Sequence, residues 1–244
     1  MRLPPPVFIV AMAAICLSSN AFAADESTDK TDLYTGKEYS SAFANPKDDP
    51  DLPNVLLIGD SISIGYTVEV RRRLRGQADV FRIPVNGKFS AYGLEQLDTW
   101  IGERGWDVIH FNWGLWDLCY RRPAAGSPGN LDKVNGVLTT TPEQYRANLN
   151  KIMARLKETN ATLIWCATTP VPIGEPGRKV GDDIRYNRIA EQVMKEHEVR
   201  MNDLHTHALL KLPGIEIRKG NVHFTEDGYE YLAEKVASEI SAAL

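Results

Sequence analysis

The chain has 244 residues, a formal net charge of -4, and 43% hydrophobic, 25% charged and 9% aromatic residues. These proportions exclude collagen-like, disordered and multi-span membrane classes, and the acidic balance argues against a nucleic-acid binder. A single domain of this length buries roughly 70% of its unfolded surface and needs no disulfide or metal to fold.

Residues 1–23 read as a signal peptide. Met1-Arg2 is a short positive start, residues 7–17 form an uncharged apolar run, and Ala21-Phe22-Ala23 is a small-x-small cleavage site. The run is too short for a stable membrane span, which takes about 20 apolar residues. The expected location is therefore exported, periplasmic or secreted. Cys16 leaves with this segment, so the odd third cysteine belongs to the precursor; Cys119 and Cys166 remain, and their pairing is conceivable but not required. Residues 24–53 are polar and without period, a mobile leader on composition, although Tyr34, Tyr39 or Phe43 offer rings that could dock. Asp48, Asp49 and Asp51 lack the Gly and distal Glu of a calcium loop and read as solvated charge.

From Pro53 onward the pattern turns regular, giving a single domain over residues 54–244. Val55-Leu56-Leu57-Ile58 is a continuous apolar run ending at Gly59, as expected of a strand buried on both faces. A helix is expected from about Gly65 to Arg75. Val80-Phe81-Arg82-Ile83 is a second strand, followed by a helix carrying Leu94, Leu97, Trp100 and Ile101. Val108-Ile109-His110-Phe111 is the third strand. A long loop through Pro123, Gly126, Pro128 and Gly129 then leads to Thr141-Pro142-Glu143, a good helix start. Residues 163–167 form strand four. A helix near residues 183–197, a short strand near 199–202 and an amphipathic helix from about Glu226 complete the chain. Alternating strands and helices predict an α/β fold: one doubly wound, flavodoxin-like, five-stranded parallel sheet with helices on both faces. In such a sheet ligands sit outside the carboxyl ends of the strands.

Strand one exits into Gly59-Asp60-Ser61-Ile62-Ser63. A serine there, just before a helix, can turn its own N–H and the helix dipole toward a developing oxyanion. Its hydroxyl needs a base, and the candidate is His223, on a short loop directly before the last helix. The plainer readings are that Asp60 and Ser61 only cap a turn and that His223 is a loop histidine.

Leu57-Ile58-Gly59-Asp60-Ser61-Ile62-Ser63 together with Val222-His223-Phe224-Thr225 resembles the SGNH/GDSL hydrolase family, of the exported bacterial esterase type. Asn86-Gly87 with Tyr92-Gly93-Leu94 resembles its second block, and residues 110–117, His-Phe-Asn-Trp-Gly-Leu-Trp-Asp, its third. The resemblance covers about residues 54–244. It implies Ser61 as nucleophile, His223 as general base, and the N–H groups of Ser61 and Gly87 as an oxyanion hole.

Two positions depart from the family pattern. Trp116 stands where the family has the asparagine that supplies a third oxyanion donor, with Asn112 as its rival. Gly220 stands where the family has an aspartate, three residues before the histidine. Asn221 beside it is a neutral amide and lacks the charge that stabilises imidazolium. Either the site is a Ser-His dyad oriented by a carbonyl, or a distant carboxylate, Asp117 or Asp203, substitutes.

Other features carry less. Arg71-Arg72-Arg73 with Arg75 fans over a helix and reads as a solvated face, and Arg121-Arg122 as a surface pair. His205 and His207 complete no zinc spacing; His110 reads as a core residue, and Trp113, Trp116 and Tyr120 as either a stacking platform or core and lid aromatics. Neither metal nor organic cofactor is called for. The expected protein is an exported serine ester hydrolase for small-molecule or glycan esters, with acetylated carbohydrate or lipid ester as substrate. The rivals are a non-catalytic glycan-binding module and an acyltransferase.

Overall fold

The computed structural model describes residue 1, residues 39–122 and residues 130–244. The expected signal peptide beyond Met1, the leader up to residue 38 and the Pro/Gly-rich stretch over residues 123–129 lie outside the described residues. In chain order the elements begin with α1 (Tyr39–Phe43), β1 (Asn54–Ile58), α2 (Ser61–Arg73), β2 (Asp79–Arg82) and α3 (Ser90–Ile101). Next come β3 (Val108–Phe111), the two-residue strands β4 (Tyr120–Arg121) and β5 (Val137–Leu138), α4 (Pro142–Lys157) and β6 (Thr162–Cys166). The chain closes with α5 (Asp182–Glu196), β7 (Arg200–Asn202), α6 (Leu204–Leu209) and α7 (Glu226–Ser241).

Five strands pair in parallel in the order β2-β1-β3-β6-β7, the doubly wound arrangement expected from the alternation of apolar runs and helices. β1 lies inside, with Leu56 opposite Phe81 on one side and Ile109 on the other. Both faces of β1, β2 and β3 are covered, which is why their sequences are largely apolar rather than alternating. The two charged residues in these strands, Asp79 and Arg82, are both buried.

Helix starts follow local chemistry. Thr141 and Gln144 form a reciprocal capping box ahead of Pro142 at the head of α4. Thr225 accepts the Gly228 N–H at 3.1 Å to start α7. The helix expected from Gly65 begins earlier, at Ser61, because the Asp60 side chain caps it by accepting the Ile62 N–H at 2.9 Å. α2 and α7 cross closely at Gly65: a Cβ there would lie 2.1 Å from Cε1 of Tyr229. That contact sets the helix bearing Ser61 against the helix that follows His223.

Part of the stretch expected as a polar leader, residues 24–53, is described, and its rings were expected to be able to dock. From Tyr39 it folds onto the domain, with Ala42 fully buried and the Phe43 ring 5.0 Å from the Arg82 guanidinium carbon. Arg71 donates to the carbonyls of Ser41 and Val80, each at 2.8 Å, which ties α1 to α2 and β2. Asp48, expected as solvated charge, forms a paired contact with Arg104 at 2.9 and 3.0 Å. Cys119 and Cys166 are both buried and are not joined to each other. Among the described residues no helix is long and apolar enough to cross a membrane.

Candidate active site

The carboxyl ends of the strands gather three loops. The turn after β1 carries Asp60 and Ser61. The segment after β6 runs through Gly174 and Glu175. The loop before α7 carries Asn221 and His223, and an antiparallel bridge between Glu216 and Phe224 holds it. Two backbone bonds support that bridge, Ile217 N–H to the His223 carbonyl and Thr225 N–H to the Ile215 carbonyl, each 3.0 Å.

His223 Nε2 lies 2.9 Å from Ser61 Oγ, within the reach a general base requires. Ser61 occupies the first position of α2, where its N–H has no intrahelical acceptor, so the hydroxyl and a helix-terminal donor meet at one point. Ser61 retains 7% of its accessible surface and His223 8%. Both side chains are therefore largely removed from solvent and lie in a low-dielectric setting.

The group on the other ring nitrogen is Asn221, whose Oδ1 lies 2.8 Å from His223 Nδ1 and accepts the His223 backbone N–H at 2.8 Å. Neither carboxylate expected as the acid is there. Asp117 is fully buried and accepts the Ser90 N–H and hydroxyl, the latter at 2.6 Å, which anchors the head of α3. Burial pushes its carboxyl up to about 7. Asp203 caps α6 by accepting the Thr206 N–H at 3.0 Å. Gly220, in the family's aspartate position, has φ +78°, and a Cβ there would lie 3.0 Å from the Gly174 carbonyl carbon. An L side chain is disfavoured twice over, by conformation and by contact.

The expected oxyanion donors divide. Gly87 donates its N–H to the Gly59 carbonyl at 2.9 Å, and a Cβ on Gly87 would lie 2.7 Å from that oxygen. Its glycine character thus follows from close backbone passage, and its N–H is engaged away from Ser61. Asn112 is likewise committed: its amide nitrogen donates to the Cys166 carbonyl at 2.6 Å and to Thr168 Oγ1 at 3.2 Å. Trp116 is nearly buried in the loop after β3, with the Arg121 guanidinium carbon 4.4 Å from its ring. Trp113 is core, its indole N–H on the Gly87 carbonyl at 3.1 Å.

Two buried arginines support the loops. Arg82 donates to the carbonyls of Gly59 at 3.0 Å and Asp60 at 3.3 Å and to Ser63 Oγ at 3.0 Å, from beneath the turn that carries Ser61. Burial lowers its guanidinium to about 10, which still leaves it charged near neutrality. Arg178 pairs with Glu175 at 2.7 Å and donates to the Leu115 carbonyl at 2.7 Å, joining the segments after β6 and β3. Asp60 is buried; burial raises its carboxyl, and the nearby Arg178 and Arg82 oppose that shift. Sequence reading missed both arginines and the part played by Asn221. The signal for Arg82 was a charge within a buried strand, where a guanidinium needs acceptors; its two terminal nitrogens find them.

The remaining singled-out residues have local partners. His205 meets Asp183 at 2.8 Å and His207 stacks on Tyr231 at 4.0 Å. His110 is buried beside Asn202 at 3.1 Å, and burial drives its imidazole down to about 3, hence neutral. Arg73 pairs with Glu69 at 3.0 Å, and Arg122 with Asp132 at 2.6 Å. Among the described residues no group of three or more His, Cys, Asp or Glu side chains could hold a metal ion.

No family model matches the chain, and no curated protein matches it. Solved structures do. The chain superposes on an acetyl xylan esterase, AlAXEase, with a TM-score of 0.62 at 17% identity, over 77% of this chain and 99% of that one. The lipase/acylhydrolase from Enterococcus faecalis gives 0.63 at 19% identity, over 78% and 96%. A GDSL-like lipase from Bacteroides thetaiotaomicron gives 0.60 at 13% identity, over 85% and 97%. The fold is that of GDSL-like lipases and acylhydrolases. At these identities the likeness concerns the fold, and the chemistry rests on the residues above.

Proposed function

We propose that this chain is an exported serine ester hydrolase that works through an acyl-Ser61 intermediate on small acyl esters, acetylated carbohydrate or lipid ester. The observation that carries the reading is the 2.9 Å contact between Ser61 Oγ and His223 Nε2 at the head of α2. His223 takes the hydroxyl proton as Ser61 attacks the ester carbonyl, then returns it to the departing alcohol. Water, activated by the same ring, releases the acid. The developing oxyanion lies toward the Ser61 N–H and the positive end of α2. With Gly87 and Asn112 engaged elsewhere, the indole N–H of Trp116 is the remaining candidate for a further donor. Such donors are worth about 3 kcal/mol each.

A short acyl group is favoured because two of the solved structures with this fold bear the names of acetyl xylan esterases. Export rests on the signal-like pattern of residues 1–23, and N-terminal sequencing of the cell-processed protein should begin at Ala24. The activity test is hydrolysis of a short-chain aryl acetate by the protein and by Ser61→Ala. The rate should fall by several orders of magnitude in the variant. Equal, near-background rates in both would remove the hydrolase reading in favour of a glycan-binding module, and ester products formed with an added acceptor alcohol would mark an acyltransferase.

A further inference from the structure

Asn221 holds a place that a charged acid usually holds beside a catalytic histidine. A neutral amide is ordinarily a poor replacement, because its NH2 can turn to the ring and force the wrong tautomer. In a related triad that exchange lowers turnover by about four orders of magnitude. The local geometry here prevents it. The atom of Asn221 that meets His223 Nδ1 at 2.8 Å also meets the His223 backbone nitrogen at 2.8 Å. A backbone N–H only donates, so the atom facing it must be the amide oxygen, which removes the usual ambiguity in amide orientation. An oxygen facing Nδ1 can only accept, which places the ring proton on Nδ1. Nε2 is then left with its lone pair, and it is Nε2 that faces Ser61 Oγ at 2.9 Å.

We infer that Asn221 is the positioning residue of the site, selecting the base-competent tautomer of His223 through a turn of its own backbone and without a negative charge. The inference rests on the hydrolase reading of Ser61 and His223. The arrangement is built rather than incidental. Asn221 is nearly buried, and its oxygen closes a turn onto the backbone two residues on, a habit of Asn and Asp. Gly220, at φ +78° against Gly174, turns the chain so that residue 221 rather than residue 220 presents to the ring. An amide orients the ring yet adds no Coulombic stabilisation to the imidazolium formed in the transition state, so the site retains the geometric half of the acid's work only.

Three measurements test this. In 15N-histidine-labelled protein, long-range 1H–15N spectra near neutral pH should show His223 as the Nδ1–H tautomer; a dominant Nε2–H tautomer overturns the inference without any variant. Asn221→Ala should lose the fixed tautomer and lower kcat about tenfold or more with little change in KM. Asn221→Asp should restore the bond with a charge. Its acid limb of kcat/KM should move to higher pH by about one unit, with kcat at or above that of the native protein. The charged groups on the surrounding elements are Asp60, Glu175, Arg178, Glu216 and Arg218; all are common to the three proteins, so the movement reports residue 221. An unchanged limb in Asn221→Asp, or an unchanged kcat and tautomer in Asn221→Ala, contradicts the inference. Ester hydrolysis absent in both the native protein and Ser61→Ala would instead remove the hydrolase reading, and the tautomer spectrum would still decide the role of Asn221.

Discussion

Replacing Arg82 with Met tests how the turn that carries Ser61 is held. The methionine fills a similar volume but removes donors that reach the carbonyls of Gly59, Asp60, Ile83 and Val85 and the hydroxyl of Ser63. Three of these acceptors lose less than the count suggests. The Gly59 carbonyl keeps the Gly87 N–H, the Asp60 carbonyl keeps the Ile64 N–H, and Ser63 Oγ keeps its own donation to the Asp60 carbonyl. The Ile83 carbonyl, bonded to Arg82 at 2.7 Å in a buried contact, bears the main loss, whereas Val85 is exposed and water can replace its bond. An unsatisfied buried acceptor costs about 1–3 kcal/mol. At 2–4 °C per kcal/mol for a domain of this size, thermal unfolding followed by circular dichroism should move down by about 2–12 °C. Ester turnover should also fall in the fraction still folded, because Ser61 sits on the released turn. Arg82→Lys should lie between, since one ammonium cannot span acceptors on both sides of the turn. An unchanged Tm for Arg82→Met, with turnover intact, would refute the assignment of Arg82 as the clamp beneath Ser61.

Gly65→Ala places a methyl 2.1 to 2.5 Å from the ring atoms of Tyr229, which is itself buried and packed on Phe224 at 5.7 Å. Overpacking of this kind costs about 1–3 kcal/mol. The helices should part slightly, so both Tm and the turnover that depends on the Ser61–His223 distance should fall; an unchanged Tm would contradict the close crossing. Asp117 gives a pH test with a defined sign. Its folded value, about 7, lies above the ordinary carboxylate value of about 3.9. Its contribution to stability is therefore fully present below about pH 4 and lost as pH rises toward 7, by at most about 1.4 kcal/mol per pH unit. Urea unfolding at several pH values between 4 and 8 should show that decline in the native protein and a flatter curve in Asp117→Asn, and parallel curves would contradict the buried, protonated Asp117.

The centre of the five-stranded parallel sheet was legible because β1, β3 and β6 are buried on both faces and appear as largely apolar runs. Gly59-Asp60-Ser61 and His223 were legible because each stands where a strand or loop meets a helix. What escaped depended on contacts between distant segments. Asn221 looked unfit as a partner for His223 because an amide lacks charge; its value lies in a backbone turn that orients the oxygen, which composition does not display. Gly87 and Asn112 matched donors by position, yet each is engaged by a carbonyl from a neighbouring strand end. Phe43 was legible as a ring that could dock, whereas the buried Ala42 and the Ser41 carbonyl accepting from Arg71 left no signal in the polar composition. β4 and β5 are two residues long and carry no period to read.

The central claim is that Ser61 becomes covalently acylated with His223 as its base. The most direct measurement is intact-protein mass spectrometry after brief exposure to an activated sulfonyl fluoride or aryl phosphonate, followed by peptide mapping. One adduct per chain is expected, located on Ser61, absent in Ser61→Ala and strongly slowed in His223→Ala. No adduct on native protein, or an adduct elsewhere that persists in Ser61→Ala, would contradict it.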